Sequence, residues 1–276
     1  MNAIEVSLFS SRVSSVCEEM GLVLRRAAFS PNIKDRLDFS CALFGPKGEL
    51  FAQADHMPVH LGSMAFAMRG IVESVAWREG DMLVFNDPFL GGTHLPDVTL
   101  VSPVFEENGV KIGFVANRAH HANIGCDTPG SMPVASSLEE EGLIIPPTFL
   151  MRGGKIQPHI NPFFIAPSGE LTGDFAAQAG ANQIGVLGLR ALSRKLGRLS
   201  YMKNMEELNN FAERVSLEML SKLSPGIYHF EDCLDDDGYG TRDIKLSVNL
   251  SVASDMVEVD FCDSADMIAG NLNCPD

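Results

Sequence analysis

The chain has 276 residues, 45% hydrophobic and 21% charged, an ordinary globular composition with room for one large domain or two modest ones. Its formal net charge of −15 makes nucleic acid and anionic membrane surfaces poor partners. No apolar run approaches the roughly 20 residues that span a bilayer, the N-terminus lacks a secretory pattern, and the six cysteines include no CxxC pair, so free thiols and a cytoplasmic setting are expected.

Ile4 to Ala28 read as an amphipathic helix with Val13, Cys17, Met20, Leu24 and Ala28 on one stripe, ended by Pro31. Two strands follow, Phe39 to Phe44 and Leu50 to Ala54, and the turn Gly45-Pro46-Lys47-Gly48 joins them into a hairpin. Asp38 stands at its mouth, either as a turn cap or as an oxygen ligand. Asp55, His56 and His60 follow, and the two histidines, in a Pro-containing loop, read as surface or structural residues. Ser63 is expected to cap a helix from Met64 to Trp77, with Ala67, Met68, Ile71, Val72 and Val75 on the buried face. MLVFND, Met82 to Asp87, is a short buried strand.

The stretch from Asn86 to Met132 holds His94, Asp97, His120 and His121 among Gly91-Gly92, Pro96, Gly125 and Pro129-Gly130. Strands from Val98 to Phe105 and Lys111 to Ala119 flank the turn Glu106-Glu107-Asn108-Gly109, and Asn-Gly between apolar runs is a strong hairpin signal. Asp97 then opens the first strand and His120 closes the second, so antiparallel pairing sets them side by side. A His-x-x-Asp turn facing a His-His end suits a divalent metal, through imidazole nitrogens and a carboxylate. Read blandly, the same residues are polar strand ends.

Beyond it, Val134 to Ile145 carries Glu139, Glu140 and Glu141, a solvated helix face or, near a metal, a source of a general base. Pro146 to Thr172 is a long loop with a strand or two. A helical region runs from Gly173 to about Leu223, where Met205, Leu208, Ala212, Val215 and Met219 form a stripe and Gly185, Gly188 and Gly197 either pack closely or interrupt the helix. Three antiparallel strands end the chain, Gly226 to Cys233, Ile244 to Val252 and Met256 to Phe261. Asp235-Asp236-Asp237-Gly238 reads as a solvated turn rather than a calcium loop. The fold class expected is α+β, with antiparallel or mixed hairpins and sheets packed by helices. Three regions are expected: a metal-bearing α+β region over 1–150, a loop plus helices over 151–225, and an antiparallel β region over 226–276. The abrupt end suggests a fragment of a larger subunit. With no GxGxxG, P-loop or GxSxG, any ATP or dinucleotide chemistry belongs to another chain.

In this order the motifs resemble the N-terminal half of the hydantoinase B/oxoprolinase family. The resemblance is carried by SPNIKDRLDFS from Ser30 to Ser40, HMPVHLGSM from His56 to Met64, NDP from Asn86 and PDV from Pro96. RAHH from Arg118, PGSMP from Pro129, EGL from Glu141 and GDF from Gly173 extend it over essentially the whole chain. It implies a division of labour in a hetero-oligomer. A hydantoinase A-type partner with an actin-like ATPase fold binds ATP and phosphorylates an amide or enol oxygen, and the present subunit completes the reaction at a buried metal. For a small cyclic amide the reaction is hydrolysis of the activated ring. The alternatives are the α-type subunit of a ketone carboxylase and a non-catalytic scaffold for the ATPase. The resemblance implies Asp38, His94, Asp97 and His120 as ligands, with His121 set aside, and zinc as the metal, with manganese and iron as alternatives. Cys126 departs from the glycine usual there.

Overall fold

The periodicities above become helices and strands in a computed structural model that describes residues 3–54, 57–130 and 132–274. Asp55 and His56 lie outside the described residues. The elements are α1 (Ala3–Ala27), α2 (Pro31–Lys34), β1 (Phe39–Phe44), β2 (Leu50–Gln53), α3 (His60–Ser74), β3 (Met82–Phe85), β4 (Asp97–Phe105), β5 (Lys111–His120) and α4 (Leu138–Glu141). After these come β6 (Thr148–Arg152), β7 (Lys155–Ile156), α5 (Gly173–Leu196), α6 (Arg198–Leu220), β8 (Gly226–Asp236), β9 (Arg242–Val252) and β10 (Val257–Asp260). They fall into two compact units, one of residues 1–132 and 142–208, the other of residues 133–141 and 209–276. No helix among the described residues is long and apolar enough to cross a membrane.

The first unit is built on a seven-stranded sheet in the order β2-β1-β5-β4-β3-β6-β7, with every pairing antiparallel. Side chains alternate between its faces. Phe39, Cys41, Leu43, Val115 and Ala119 pack with Val13, Cys17, Met20 and Leu24 of α1 and Ala177, Ala181 and Leu189 of α5. Ala42, Phe44, Val101, Phe114 and Ala116 pack under Met64, Met68 and Ile71 of α3. Covering both faces buries β1 from end to end and β4 and β5 over nearly their whole length, which is why these strands read as continuous apolar runs. The α1–α5 contact is close: a Cβ on Gly188 would sit 3.0 Å from Val16, and one on Gly185 would run into the Met20 sulfur.

Helix α3 starts at His60, a turn earlier than expected, so Ser63 is no cap: its hydroxyl donates back to the Val59 and His60 carbonyls at 3.3 and 3.5 Å. The early start follows from the turn at Met57-Pro58, whose carbonyls accept from His60 N and Leu61 N. The long helical region is two helices, because Gly197 between α5 and α6 adopts φ +77, a left-handed conformation that glycine enters without a Cβ clash. Of the expected α6 stripe Met205 is buried, whereas Val215 and Met219 are exposed.

The second unit carries a three-stranded antiparallel sheet in the order β10-β9-β8. The acidic turn after β8 is not simply solvated. Asp237 is buried, and its carboxylate accepts from Tyr239 N at 2.8 Å, Thr241 N at 3.0 Å and Gly270 N at 3.3 Å. Its oxygens serve backbone donors, the usual work of an aspartate in a loop.

Candidate metal centre

The hairpin brings its ends together as its turn requires. In the β4–β5 register Asp97 faces His120 and Thr99 faces Arg118, and β1 adds Ser40 opposite Arg118. Asp38, just before β1, accepts from His120 N through its carbonyl at 3.0 Å. By alternation Ser40, Asp97, Thr99, Arg118 and His120 lie on the α3 side of the sheet. His60, the first residue of α3, enters the same space.

The side chains converge. His94 Nε2 lies 3.2 Å from His120 Nδ1, and His94 Nδ1 lies 3.5 Å from Asp97 Oδ2. His120 Nδ1 is 3.5 Å from both Asp97 Oδ1 and Asp38 Oδ2. His94, Asp97 and His120 offer ligand atoms within 4.8 Å of one another, as do Asp38, His60 and Asp97. The four residues singled out from the sequence are thus brought together, with His60 added. Asp97 Oδ1 and His120 Nε2 are buried with no hydrogen-bond partner. Leaving such atoms unpaired costs about 1–3 kcal/mol each, and a divalent cation is a natural partner for a carboxylate oxygen and an imidazole lone pair. The donor set fits zinc, manganese or iron.

The electrostatics run the same way. Burial pushes the Asp97 carboxyl up, but the imidazoles of His120, His60 and His94 beside it outweigh burial and hold it well below the usual range. Burial lowers His94, against the opposing pull of Asp97. An ionised carboxylate and a neutral imidazole are the forms that ligate.

The turn carrying His94 is tied from beneath. Asp87 accepts from Phe89 N at 3.0 Å and caps the short turn Pro88–Leu90. Gly91 follows at φ +101, so close to α3 that a Cβ would lie 2.8 Å from that of Ala67. The buried guanidinium of Arg118 donates to the Gly91 carbonyl at 2.8 Å, to Thr99 Oγ1 at 2.7 Å and to Ser63 Oγ at 2.8 Å. Burial lowers its pKa to about 10, with Asp97 opposing, so it is charged at neutral pH. Asn86 holds the far end, donating to the Leu95 and Leu143 carbonyls and accepting from Ile145 N.

His121 points to the other face. Its Nε2 lies 2.8 Å from Gln178 Oε1 and its ring packs on Phe175. Asp174, beside Phe175, accepts from Phe29 N, Ser30 N and Ser30 Oγ, so the GDF motif clamps α5 to the start of SPNIKD. Glu140 accepts from the Ser136 amide and hydroxyl within its own turn. As sequence, His60 reads as a surface or structural histidine and Arg118 only as part of the RAHH motif, and neither is expected in the site. No local spacing separates His60 from His56, and a strand arginine carries no sign of its burial.

The sequence profile described as Hydantoinase B/oxoprolinase matches residues 2–276. The 5-oxoprolinase of Saccharomyces cerevisiae is 36% identical over 301 residues, which take in all of this chain and 23% of the yeast protein. The ATP-dependent caprolactamase of Pseudomonas jessenii superposes with a TM-score of 0.81 at 25% identity, over 94% of this chain and 46% of its own. Acetone carboxylase superposes with a TM-score of 0.82 over 99% of this chain and 38% of its own, and at 17% identity it shares the fold alone. The chain therefore spans less than half of each of these relatives. It belongs to the hydantoinase B/oxoprolinase family.

Proposed function

We propose that this chain is the metal-bearing part of an ATP-dependent cyclic amidase subunit, which opens a ring amide activated by phosphorylation on a hydantoinase A-type ATPase partner. The observation that carries the reading is the unpartnered buried oxygen Asp97 Oδ1, 3.5 Å from His120 Nδ1 inside a cluster of imidazoles and carboxylates. Identity to 5-oxoprolinase over the whole chain supports the amidase over the carboxylase. The likeness to an ATP-dependent caprolactamase supports placing ATP chemistry in the same reaction.

Asp38, His94, Asp97 and His120 would hold the ion. When bound, a divalent cation supplies a water of near-neutral pKa and polarises the carbonyl it faces. The side chains set the direction of approach. Asp97 and His120 are 2% and 6% exposed, whereas Asp38 and His94 are 23% and 30% exposed. Substrate therefore reaches the cluster past Asp38 and His94, and the buried pair anchors it from beneath.

Elemental analysis of the purified chain beside His94→Ala and Asp97→Ala tests the site. About one equivalent of zinc, manganese or iron, lost in both variants, is expected for a single ligand-complete site. No metal in any sample would favour the scaffold reading. With the ATPase partner, ATP and labelled bicarbonate, ring opening without incorporation of label is expected. Label carried into a new carbon–carbon bond would replace the amidase by the carboxylase.

A further inference from the structure

His60 is a third imidazole against Asp97, and the two groups of potential ligands leave it two roles. Its Nε2 lies 3.2 Å from Asp97 Oδ2, and with Asp38 and Asp97 it offers a ligand atom. It is therefore either another metal ligand or a donor to the carboxylate.

The far side of the ring separates these roles. His60 Nδ1 lies 3.0 Å from Ser40 Oγ, and both residues are fully buried. The Ser40 hydroxyl has one proton and two acceptors in reach: His60 Nδ1, and the Met57 carbonyl at 3.4 Å. If the proton goes to Met57, Nδ1–H of the neutral ring must donate to Ser40. Nε2 is then bare against a carboxylate oxygen, with two lone pairs facing each other in a buried site. If the proton goes to Nδ1, Nε2 keeps its hydrogen and donates to Asp97 Oδ2. The second arrangement satisfies every atom and uses the shorter hydroxyl contact. The bond at one ring nitrogen sets the state of the other.

We infer that His60 is a positioning residue for Asp97 and not a metal ligand, with Nε2–H donating to Asp97 Oδ2 and Nδ1 accepting from Ser40. His60 and Thr93 Oγ1, the latter at 2.8 Å, both hold Oδ2, which leaves Oδ1 as the atom presented to the cation. The consequence for metal binding rests on the reading under Proposed function; the tautomer does not.

The purified chain, His60→Gln and His60→Leu are titrated with cobalt(II), and the imidazoles on the bound ion are counted by X-ray absorption. The glutamine amide nitrogen can stand where Nε2 stood and donate to Oδ2, but it is no ligand. His60→Gln is expected to keep the wild-type imidazole count, from His94 and His120, and nearly the wild-type affinity. His60→Leu is expected to keep the count and lose about 10–100-fold in affinity, as losses of such partners do. A third imidazole in the wild type that disappears in His60→Gln would overturn the inference. No cobalt binding by the wild type would defeat the metal reading instead, and nitrogen NMR of the His60 ring in the metal-free chain then decides. An Nε2–H ring in the wild type supports the inference; Nδ1–H in the wild type overturns it.

Discussion

Asp97 opens β4 opposite His120, and its two oxygens face different surroundings: Oδ2 meets Thr93 and His60, while Oδ1 has no hydrogen-bond partner. Asp97→Ala is therefore expected to abolish metal binding while the circular dichroism spectrum stays that of the parent, because the β4–β5 ladder does not depend on this side chain. His121→Phe is the contrasting variant. It leaves Gln178 Oε1 without its partner on the opposite face, so about 1–3 kcal/mol of stability is lost with metal content unchanged; denaturant unfolding and elemental analysis read the two effects separately. Arg118→Met removes three donors from the floor of the site, stranding the Gly91 carbonyl. About 2–4 kcal/mol should be lost in denaturant unfolding, together with metal affinity, since the Gly91–His94 turn loses its anchor.

At the scale of elements, the site stands where the end of the β4–β5 hairpin, the start of β1 and the first turn of α3 meet. Helix α5 is pinned to the other side of the same strands by a buried polar ladder. Asn117 donates to Asn182 Oδ1 and the Gln178 carbonyl, and Gln178 donates to Asn117 Oδ1 and the Val98 carbonyl. Amide pairs of this kind fix the sliding position of a helix, which an apolar contact tolerates over a wider range. Against α1, α5 relies on shape. Gly185→Ala drives a methyl into Met20 and is expected to cost about 1–3 kcal/mol in chemical denaturation, as overpacking does. Met20→Ala in the same chain should recover part of that loss, a coupling that a double-mutant cycle would measure.

At the scale of the molecule, Asp38, His94, Asp97 and His120 all belong to the first unit. A cation that binds only the folded cluster stabilises that unit by mass action. At one hundred times its dissociation constant, zinc should add about 2.7 kcal/mol, a rise of about 5–10 °C in the melting of the first unit. Calorimetry of the metal-free chain with and without zinc checks this, and an unmoved transition would count against the site. A chain of two units is not a two-state system, so the first unit's transition is the one to follow.

The amino-acid sequence by itself determined the elements whose contacts are local. The stripe of α1, the two hairpins and the three final strands follow from periodicity and turn residues. The meeting of Asp97 with His120 follows too, because a tight turn and side-chain alternation set a hairpin's register within a few residues. Tertiary structure alone decided the rest. His60 reaches Asp97 across 37 positions of chain and Arg118 reaches Ser63 across 55. Nothing in the neighbourhood of either residue encodes such a contact, which exists only once α3 lies across the sheet. His120 and His121 are alike as sequence; the pleat sends one toward Asp38, His94 and Asp97 and the other toward Gln178. Which face became the candidate site was settled by what packs against it, since ligand atoms can converge only where several elements bring them together.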